Sequence, residues 1–402
     1  SEPFPALDAQ NDVEISVQDM LKYGFAPIAK TDTQLKIAIS NPSNIASIQA
    51  ICDRNKVHPQ FVLSSRSAIN DQIATIGKAH LSKSAELVCP ETLSCRRLMY
   101  RGKNYPMLFG LLCTAIILGV FGWLETAIFA IALTTFIGNV VLKFSCLMAF
   151  LFKKNTPLPP IKTHQKLERV SILVPLYKES YIVERLIKRL IELDYPKELL
   201  EIFLICEEDD KKTQTRIANT PLPPHISMVI APKGQIQTKP RAMNYALNFC
   251  KGSIIGVYDA EDAPEYDQVH KAVRHLQRAD PRVVCVQARL DFFNQNTNWL
   301  ARCFTIEYAS LFRVILRGLQ KLDLPIPLGG TSMFIKRNAL IEWGQWDAHN
   351  VTEDADLGIR LYRQGLRIEC LDSTTYEEAN YKFTSWVKQR SRWLKGFIVT
   401  WI

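Results

Sequence analysis

The sequence predicts an α/β fold in which helices cover both faces of a mostly parallel sheet. Three nearly continuous apolar runs, VSILVPLY at 170–177, LEIFLIC at 200–206 and SIIGVY at 253–258, are typical of strands buried on both faces. An amphipathic helical pattern at 180–196 separates the first two runs, and this strand–helix–strand order predicts a doubly wound sheet. The ligand of such a sheet lies beyond the carboxyl ends of its strands.

Composition limits the classes of protein that the chain can belong to. The 402 residues allow two or three domains, and the net charge of +9 suits a membrane surface, a nucleic acid or a phosphorylated substrate. No Lys/Arg block or zinc-finger spacing is present, so no nucleic-acid partner is expected. The ten cysteines occur singly, which favours reduced thiols over a disulfide framework or a zinc site. The chain starts without Met and stops inside the apolar run FIVTWI, so we expect a fragment of a longer protein.

Residues 1–80 predict a small α/β unit. Alternating runs at 35–40 and 58–65 read as strands, and segments 45–55 and 67–77 have helical spacing. The order of these segments resembles the N-terminal domain of type II secretion ATPases. Some relatives of that domain bind cyclic di-GMP through an Arg-Leu-Gly repeat, which this sequence lacks. We therefore expect a docking or regulatory unit for a protein partner, with a cyclic dinucleotide or a purely structural role as the alternatives.

An apolar segment at 105–152 follows a polar connector at 81–104. A membrane-spanning helix needs about 20 residues, so this segment fits two spans with a turn at 122–125. Both outer flanks are basic, and the positive-inside rule then puts both in the cytoplasm. The flanking residues are Arg96, Arg97, Arg101, Lys103, Lys153 and Lys154. The remaining predicted boundaries are a Pro-rich linker at 153–167, an α/β domain at 168–395 and the start of a truncated apolar or interfacial helix at 396–402.

Two pairs of carboxylates are candidates for chemistry. Asp259 and Glu261 are two residues apart at a strand end, where they would project to one side of an extended chain and suit Mg²⁺ or Mn²⁺. Asp262 competes for the role of second ligand. Thr352 is a plausible N-cap for a helix that starts with Glu353 and Asp354, and carboxylates fixed at a helix start suit a general base. The third acid of that turn, Asp356, starts to face away from the other two.

Two basic residues and a pair of glycines complete the candidates that the residues themselves suggest. Lys239 and Arg241 lie at a helix N-terminus, where they can help to bind phosphate. Gly329 and Gly330 precede a strand, and glycines let backbone approach a ligand closely.

The ordered pair of TED at 352–354 and QxxRW at 389–393 resembles the acceptor-side signature of processive family 2 glycosyltransferases, the class of cellulose and hyaluronan synthases. The resemblance covers about 168–401 and implies the GT-A fold, in which Asp354 is the catalytic base with Glu353 beside it. It assigns Asp259 and Glu261 to the DxD metal site. Gln389, Trp393 and the GGT loop would bind the acceptor; that loop is Gly329, Gly330 and Thr331.

The same resemblance assigns the nucleotide-sugar site. VPLYKES resembles the first strand and loop of the GT-A fold, and the acidic segment CEEDDKKT takes the place of the usual DDGS loop. The alignment of this segment is ambiguous by one residue, so either Glu208 or Asp210 could hold the uridine. KPRAMNYAL resembles the K-x-x-A-L-N segment, and Arg392 would pair with the diphosphate. The residues implied are Tyr177, Glu179, Glu208, Asp210, Lys239, Asn244 and Arg392.

The expected function is metal-dependent, inverting transfer of a sugar from a nucleotide sugar, with UDP-glucose as the expected donor, to a growing β-linked polysaccharide. The sequence is most similar to bacterial exopolysaccharide synthases of the β-glucan type, so a multi-pass protein of the bacterial inner membrane is expected, with the lipid bilayer as a partner. Two alternatives remain: transfer of one sugar to a lipid carrier, and a non-catalytic membrane sensor that only binds nucleotide.

Overall fold

A computed structural model describes residues 15–30, 34–96, 105–153 and 166–401, with backbone only at 105–108 and 401. Several predicted features lie outside the described residues. These are Arg97, Arg101, Lys103, Lys154 and most of the predicted Pro-rich linker.

The N-terminal unit is a three-stranded sheet with four helices. Strand β1 pairs antiparallel with β2, and β2 pairs parallel with β3. The two predicted strands and two predicted helices are confirmed within a residue or two. The predicted polar connector at 81–104 begins inside a helix, because residues 78–87 are helical and the inner face of this helix is buried. The elements are β1 (Phe25–Lys30), β2 (Leu35–Ile39), β3 (Pro59–Leu63), α1 (Val17–Tyr23), α2 (Ile45–Arg54), α3 (Arg66–Ile76) and α4 (Lys78–Leu87).

Two apolar helices follow, α5 (Tyr105–Val120) and α6 (Leu124–Phe152), joined at a turn in which Gly122 has φ +70°. Among the helices of the described residues, only α6 is long and apolar enough to cross a membrane by length and composition, whereas α5 has 16 residues. Most described side chains of both helices are exposed. The C-terminal end of α6 is different, because Cys146 and Ala149 are buried against the α/β unit.

The α/β unit contains an eight-stranded mixed sheet in the order β6-β5-β4-β7-β10-β9-β11-β8. The first four strands are parallel, and three of them, β4, β5 and β7, correspond to the predicted apolar runs. The remainder makes the sheet mixed, because β10 runs antiparallel between β7 and β9 and β8 runs antiparallel to β11. The strands are β4 (Val170–Leu176), β5 (Leu200–Glu207), β6 (Ile226–Ala231), β7 (Ile254–Val257), β8 (Ala263–Pro264), β9 (Val283–Phe292), β10 (Met333–Lys336) and β11 (Arg367–Glu377).

Helices flank this sheet and connect it to α6. The helical segment at 299–322 consists of two α-helices joined by a π-helical turn at Ser310–Ile315. A Cβ on Gly318 would lie 2.4 Å from the carbonyl oxygen of Cys146, so this glycine permits the contact with α6. The helices are α7 (Val183–Ile191), α8 (Lys211–Ala218), α9 (Lys239–Leu247), α10 (Gln268–Arg278), α11 (Trp299–Ala309), α12 (Leu316–Leu322), α13 (Arg337–Glu342), α14 (Glu353–Arg363) and α15 (Phe383–Trp401).

One apolar core extends from the N-terminal unit into the α/β unit. It includes Ile69 and Ile73 of α3, Phe203 of β5 and Met243 of α9, all buried. A second core covers the other face of the sheet. Helix α4 packs along α9, so the N-terminal unit is seated directly behind a helix that begins at the carboxyl ends of the strands.

Candidate active site

A cleft lies at the carboxyl ends of β4, β5 and β7, where the sequence places the ligand. It consists of a small cavity of about 370 Å³ and a large cavity of about 660 Å³. Lys239, Asp259, Glu261 and Arg392 line both. The two cavities therefore share a wall, so one reactant can bind on each side of it.

Lys239 is at the centre of that shared wall. Its Nζ lies 2.5 Å from Oδ1 of Asp259 and donates to the carbonyl oxygen of Gly330 at 2.9 Å. Burial alone would lower the pKa of Lys239, but the carboxylates of Asp259 and Glu353 raise it above its usual range. The lysine is thus a fixed positive charge between the end of β7 and the start of α14.

The chain around Asp259 does not have the extended form that the sequence predicts. Strand β7 ends at Val257 and the chain turns at Ala260 and Glu261, so alternation along a strand cannot explain how the two acids are placed. Asp259 and Glu261 nevertheless line the small cavity as well as the large one. The backbone amide of Asp259 donates to Oδ2 of Asp262 at 2.8 Å, and Asp262 is buried behind the turn.

The acids of the small cavity fit a divalent cation that takes further ligands from a phosphate. Burial, then Asp259, raises the pKa of Glu261. Burial, then Glu261 and Asp259, raises the pKa of Glu179 to about 7. Oδ1 of the buried Asp262 has no hydrogen-bond partner. Within the described ranges no three His, Cys, Asp or Glu side chains form a cage of their own. Two carboxylates with the oxygens of a diphosphate would supply the hard oxygen ligands that Mg²⁺ or Mn²⁺ needs.

Helix α14 begins at Glu353 as predicted, and its first two residues line the large cavity. A Cβ on Gly330, whose φ is +83°, would lie 3.0 Å from Oδ2 of Asp354, so the carboxylate faces this turn. Burial raises the pKa of both Glu353 and Asp354, and in Glu353 the neighbouring Asp354 adds to the effect. A carboxylate with a raised pKa is a better proton acceptor.

Two neighbours of this pair have structural roles. Asp356 faces away and pairs with Arg360 at 2.7 Å. Arg360 also donates to the carbonyl oxygens of Trp343 and Gln345, so the pair fixes the preceding loop. Thr352 occupies the N-cap position, but its side chain makes no capping hydrogen bond, contrary to the prediction.

The first strand and its loop bring Tyr177 and Glu179 to the small cavity. Lys178 has φ +60°, and its backbone amide donates to Oδ2 of Asp210. Asp210 also caps α8 by accepting from the amide of Thr213 at 3.2 Å. Asp210 therefore shapes the loop and is not among the residues that line the cleft.

Glu208 also lies outside the cleft lining. It pairs with Lys78 of α4 at 2.6 Å and accepts from the amide of Lys233 at 2.9 Å. The residue of this segment that does line the small cavity is Glu207, which the sequence analysis missed. Its position as the last residue of β5 was the available signal. Burial raises the pKa of Glu207 to about 7, against a lowering by Arg241.

Arg241 and Asn244 are turned away from the cleft. Arg241 is fully buried, so the prediction that it binds phosphate is wrong in this structure. Asn244 donates to the carbonyl oxygens of Ala85 and Trp346 at 3.1 and 2.8 Å. Both side chains are used to seat the N-terminal unit against α9.

The Gly-Gly turn lines the large cavity, as do Thr331 and the first turn of α14. The amide of Gly329 donates to Oε1 of Gln287 at 2.9 Å, and a Cβ on Gly329 would lie 2.8 Å from the ring of Phe312. The buried Thr331 accepts from the amide of Asp259 at 3.1 Å. This turn therefore connects the metal candidates to the base candidates.

Helix α15 closes the large cavity with Gln389, Arg392 and Trp393. The guanidinium of Arg390 lies 4.6 Å from the centre of the Trp393 ring and pairs with Glu307. Arg392 is exposed and lines both cavities. Both arginines therefore line the large cavity, and Arg390 also holds the Trp393 ring in place through its contacts with that ring and Glu307.

Glu377 is a further acid of the large cavity that the sequence analysis missed. It is the last residue of β11, and its Oε1 is buried without a hydrogen-bond partner. Burial, then Asp262 and Asp259, raises its pKa well above the usual range. The run YEEAN was the available signal, because acids at a strand end point toward a ligand.

Comparison with known protein families gives two matches. Residues 168–396 match the family described as "Glycosyltransferase like family 2", and residues 3–82 match the MshEN domain. The first match covers more than half of the chain and includes every cleft residue named above.

Three curated relatives each match between 61% and 65% of the chain. A probable glycosyltransferase of Bacillus subtilis is 28% identical over 249 residues, which is 61% of this chain and 59% of the relative. A β-monoglucosyldiacylglycerol synthase of Synechocystis is 26% identical, covering 62% of this chain and 53% of the relative. A poly-β-1,6-N-acetyl-D-glucosamine synthase of Staphylococcus aureus is 24% identical, covering 65% and 61%. The chain thus spans between half and two thirds of the length of these relatives.

A solved structure shares the fold. It is a mannosyltransferase from Pyrobaculum calidifontis in complex with GDP-Man and Mn²⁺, with a TM-score of 0.53 and 22% identity. The similarity covers 67% of this chain and 73% of that one. At this identity the comparison supports the α/β fold alone.

Proposed function

Because the chain belongs to glycosyltransferase family 2, we propose that it transfers a sugar from a nucleotide sugar, with UDP-glucose as the first candidate, to a growing β-linked polysaccharide. The observation that carries the proposal is the shared wall of the cleft. Lys239 and Asp259 separate the small cavity from the carboxylates of Glu353 and Asp354, and Arg392 reaches both sides. A donor diphosphate and an acceptor hydroxyl would meet there.

The donor would occupy the small cavity. Tyr177 and Glu179 would border the base, and Glu207, which lines this cavity where Glu208 and Asp210 do not, would be the acid beside the nucleotide. A divalent cation, Mg²⁺ or Mn²⁺, held by Asp259 and Glu261 would neutralise charge on the diphosphate. The positive charge of Lys239 and the guanidinium fork of Arg392 would pair with the same oxygens.

The acceptor would occupy the large cavity. Asp354 would take the proton of the attacking hydroxyl. Glu353 lies beside it, and its raised pKa favours its neutral form, so the pair would carry less negative charge before that transfer. Attack on the face of the sugar opposite the diphosphate inverts the anomeric carbon, so an α-linked donor gives a β-linkage. The flat face of Trp393 would stack on the acceptor ring, and Gln389 would hydrogen-bond across the same site.

Membrane attachment would place this reaction at the cytoplasmic face of the inner membrane. The exposed apolar side chains of α5 and α6 form a surface that water would not solvate well, and α6 is about 43 Å long at 1.5 Å per residue. The α6 end that packs on α12 is followed by Lys153, in agreement with a cytoplasmic α/β unit. The N-terminal unit would then be cytoplasmic as well, available to a protein partner or a cyclic dinucleotide.

Transfer of a single sugar to a lipid is the second candidate. The similarity to β-monoglucosyldiacylglycerol synthases favours it, and the large cavity is lined by Leu311, Phe312 and Leu316, next to the contact with α6. Product length separates the two candidates.

The experiment uses the purified full chain in lipid nanodiscs with a panel of UDP- and GDP-sugars, and mass spectrometry of the products. We expect a ladder of hexose additions with UDP-glucose that disappears in EDTA and in Asp259→Ala. A single addition to lipid would instead support the second candidate. Turnover of Asp259→Ala in chelator at the wild-type rate would contradict the metal assignment.

A further inference from the structure

The N-terminal unit contacts the loop that leads into the cleft. This loop, residues 232–238, joins β6 to α9, and its last two residues, Gln237 and Thr238, line both cavities. Lys239 follows immediately as the first residue of α9. A contact that holds this loop in place therefore also holds the residues that lead into the shared wall of the cleft.

Glu86 of α4 is the main contact between the two units at this loop. Its Oε1 accepts from the backbone amide of Gln235 at 2.7 Å and lies 3.2 Å from Nε of Arg241. Glu86 is 7% exposed and Arg241 is 0% exposed, so neither charge can be satisfied by water instead.

Arg241 extends this contact toward the cleft. Its Nη2 donates to the hydroxyl of Ser82 at 2.7 Å and to the carbonyl oxygen of Pro232 at the start of the loop. Its Nη1 lies 3.5 Å from Oε2 of Glu207, which lines the small cavity. A continuous chain of ionisable groups thus runs from α4 through α9 to the cavity wall.

The loop backbone passes directly against these side chains at Gly234. A Cβ on Gly234 would lie 2.0 Å from Oε1 of Glu86 and 2.5 Å from Nε of Arg241. The loop backbone is therefore in direct contact with the ion pair, and only glycine fits there.

We propose that Glu86 is a positioning residue of the donor site: by holding loop 232–238 and Arg241, helix α4 makes the N-terminal unit part of the wall that binds the nucleotide sugar. Donor affinity then depends on how the N-terminal unit is seated. The inference rests on the proposed function, since it takes the small cavity to be the donor site.

Other contacts between the two units serve as controls. Arg66 of α3 pairs with Glu201 at 2.8 Å and donates to the carbonyl oxygen of Phe249, far from the loop. Arg66→Ala weakens the seating of the N-terminal unit without touching residues 232–238. Lys83 is exposed on α4 itself, so Lys83→Ala controls for a change in that helix.

The experiment measures UDP affinity by calorimetry, donor KM and kcat, the thermal midpoint, and hydrogen exchange of the peptide 232–239, all in the full-length protein. Loss of hydrogen bonds to a charged group predicts about tenfold weaker UDP binding and a similar rise in KM for Glu86→Ala, with kcat lowered less than about threefold. Exchange at Gln235 and Ile236 should rise. The effects of Glu86→Gln should lie between the wild-type values and those of Glu86→Ala. Glutamine keeps an oxygen for the amide of Gln235 but loses the charge that faces Arg241.

Arg66→Ala and Lys83→Ala should stay within about twofold of the wild-type UDP affinity. The inference is overturned if Glu86→Gln and Glu86→Ala, folded by their thermal midpoints, bind UDP and protect the loop as the wild type does. It is also overturned if Arg66→Ala, at equal loss of thermal stability, weakens UDP binding as much as Glu86→Ala. A wild type that binds neither UDP nor GDP overturns the donor assignment itself, whatever the exchange data show.

Discussion

Asp354 and Asp356 lie two residues apart on α14 and have different surroundings, so substitution can tell them apart. Asp354→Asn keeps the shape of the side chain and removes the proton acceptor, so turnover should fall by about 10²–10⁴-fold. Its UDP affinity should stay close to the wild-type value, because the nucleotide contacts lie on other elements. Kinetics and calorimetry on the same preparation measure both.

Asp356→Asn is the matched control. It breaks the ion pair with the buried Arg360 and should lower the free energy of unfolding by about 3 kcal/mol, with a smaller effect on turnover. The opposite pattern, a near-normal Asp354→Asn and an inactive Asp356→Asn, would move the base by two residues.

Glu207 predicts a pH dependence of stability. Its pKa is raised from 4.5 to about 7 in the folded protein because burial disfavours the charged form. A raised carboxyl pKa gives a contribution that is fully present below pH 4.5 and is lost as the pH rises through 7. Compared with Glu207→Gln, the wild type should lose up to about 3 kcal/mol of unfolding free energy between pH 4.5 and pH 8. Denaturant unfolding across this range measures it, and parallel curves for the two proteins would contradict the assignment.

At the scale of single elements, the contact between α14 and α15 depends on one glycine. A Cβ on Gly396 would lie 2.3 Å from Oγ1 and 2.4 Å from Cγ2 of Thr352, so Gly396→Ala should push α15 away and move Arg392 and Trp393 out of place. We expect kcat to fall at least about tenfold. Thr352→Ala removes these two atoms and leaves only its own Cβ, at 2.8 Å, so the double variant should recover part of this loss. A double variant no better than Gly396→Ala would mean that another contact sets the distance between the helices.

The elements also show what the sequence can predict. Strands β4 and β5 and the start of α14 were predictable because continuous apolar runs and a polar helix start are local patterns. The end of β7 was not, because Asp262 folds back to accept from the amide of Asp259 and ends the strand early. Helix α4 was missed because its sequence is polar, and it is stabilised by packing on α9 that only the tertiary structure supplies.

At the scale of the whole molecule, the membrane topology is testable. A cysteine is introduced in place of Glu125, Lys83 or Lys211, one at a time, in a background with the exposed Cys303 replaced by Ser. Each variant reports on which side of the membrane that position lies. A membrane-impermeant reagent added to intact cells should label the first position, at the turn between α5 and α6, and miss the other two. Labelling at Lys83 from outside would mean that one helix alone spans the membrane.

The relation between the two units could not be predicted from the sequence. Short sequence motifs were enough to identify four residues of the cleft, Lys239, Asp259, Asp354 and Trp393. Arg241 was assigned to phosphate on the same kind of evidence, yet its partners Glu86 and Ser82 lie more than 150 residues away in the chain. A buried arginine and a phosphate-binding arginine look alike until the neighbour that buries it is known.

The anomeric configuration of the product tests the central claim most directly. The full chain is incubated with UDP-glucose and Mg²⁺ or Mn²⁺, released UDP is quantified, and the new linkage is read by NMR, with Asp354→Asn in parallel. The account predicts a β-linkage, one UDP per sugar transferred, and loss of both signals in the variant. An α-linked product, or a β-linked product made equally well by Asp354→Asn, would contradict it.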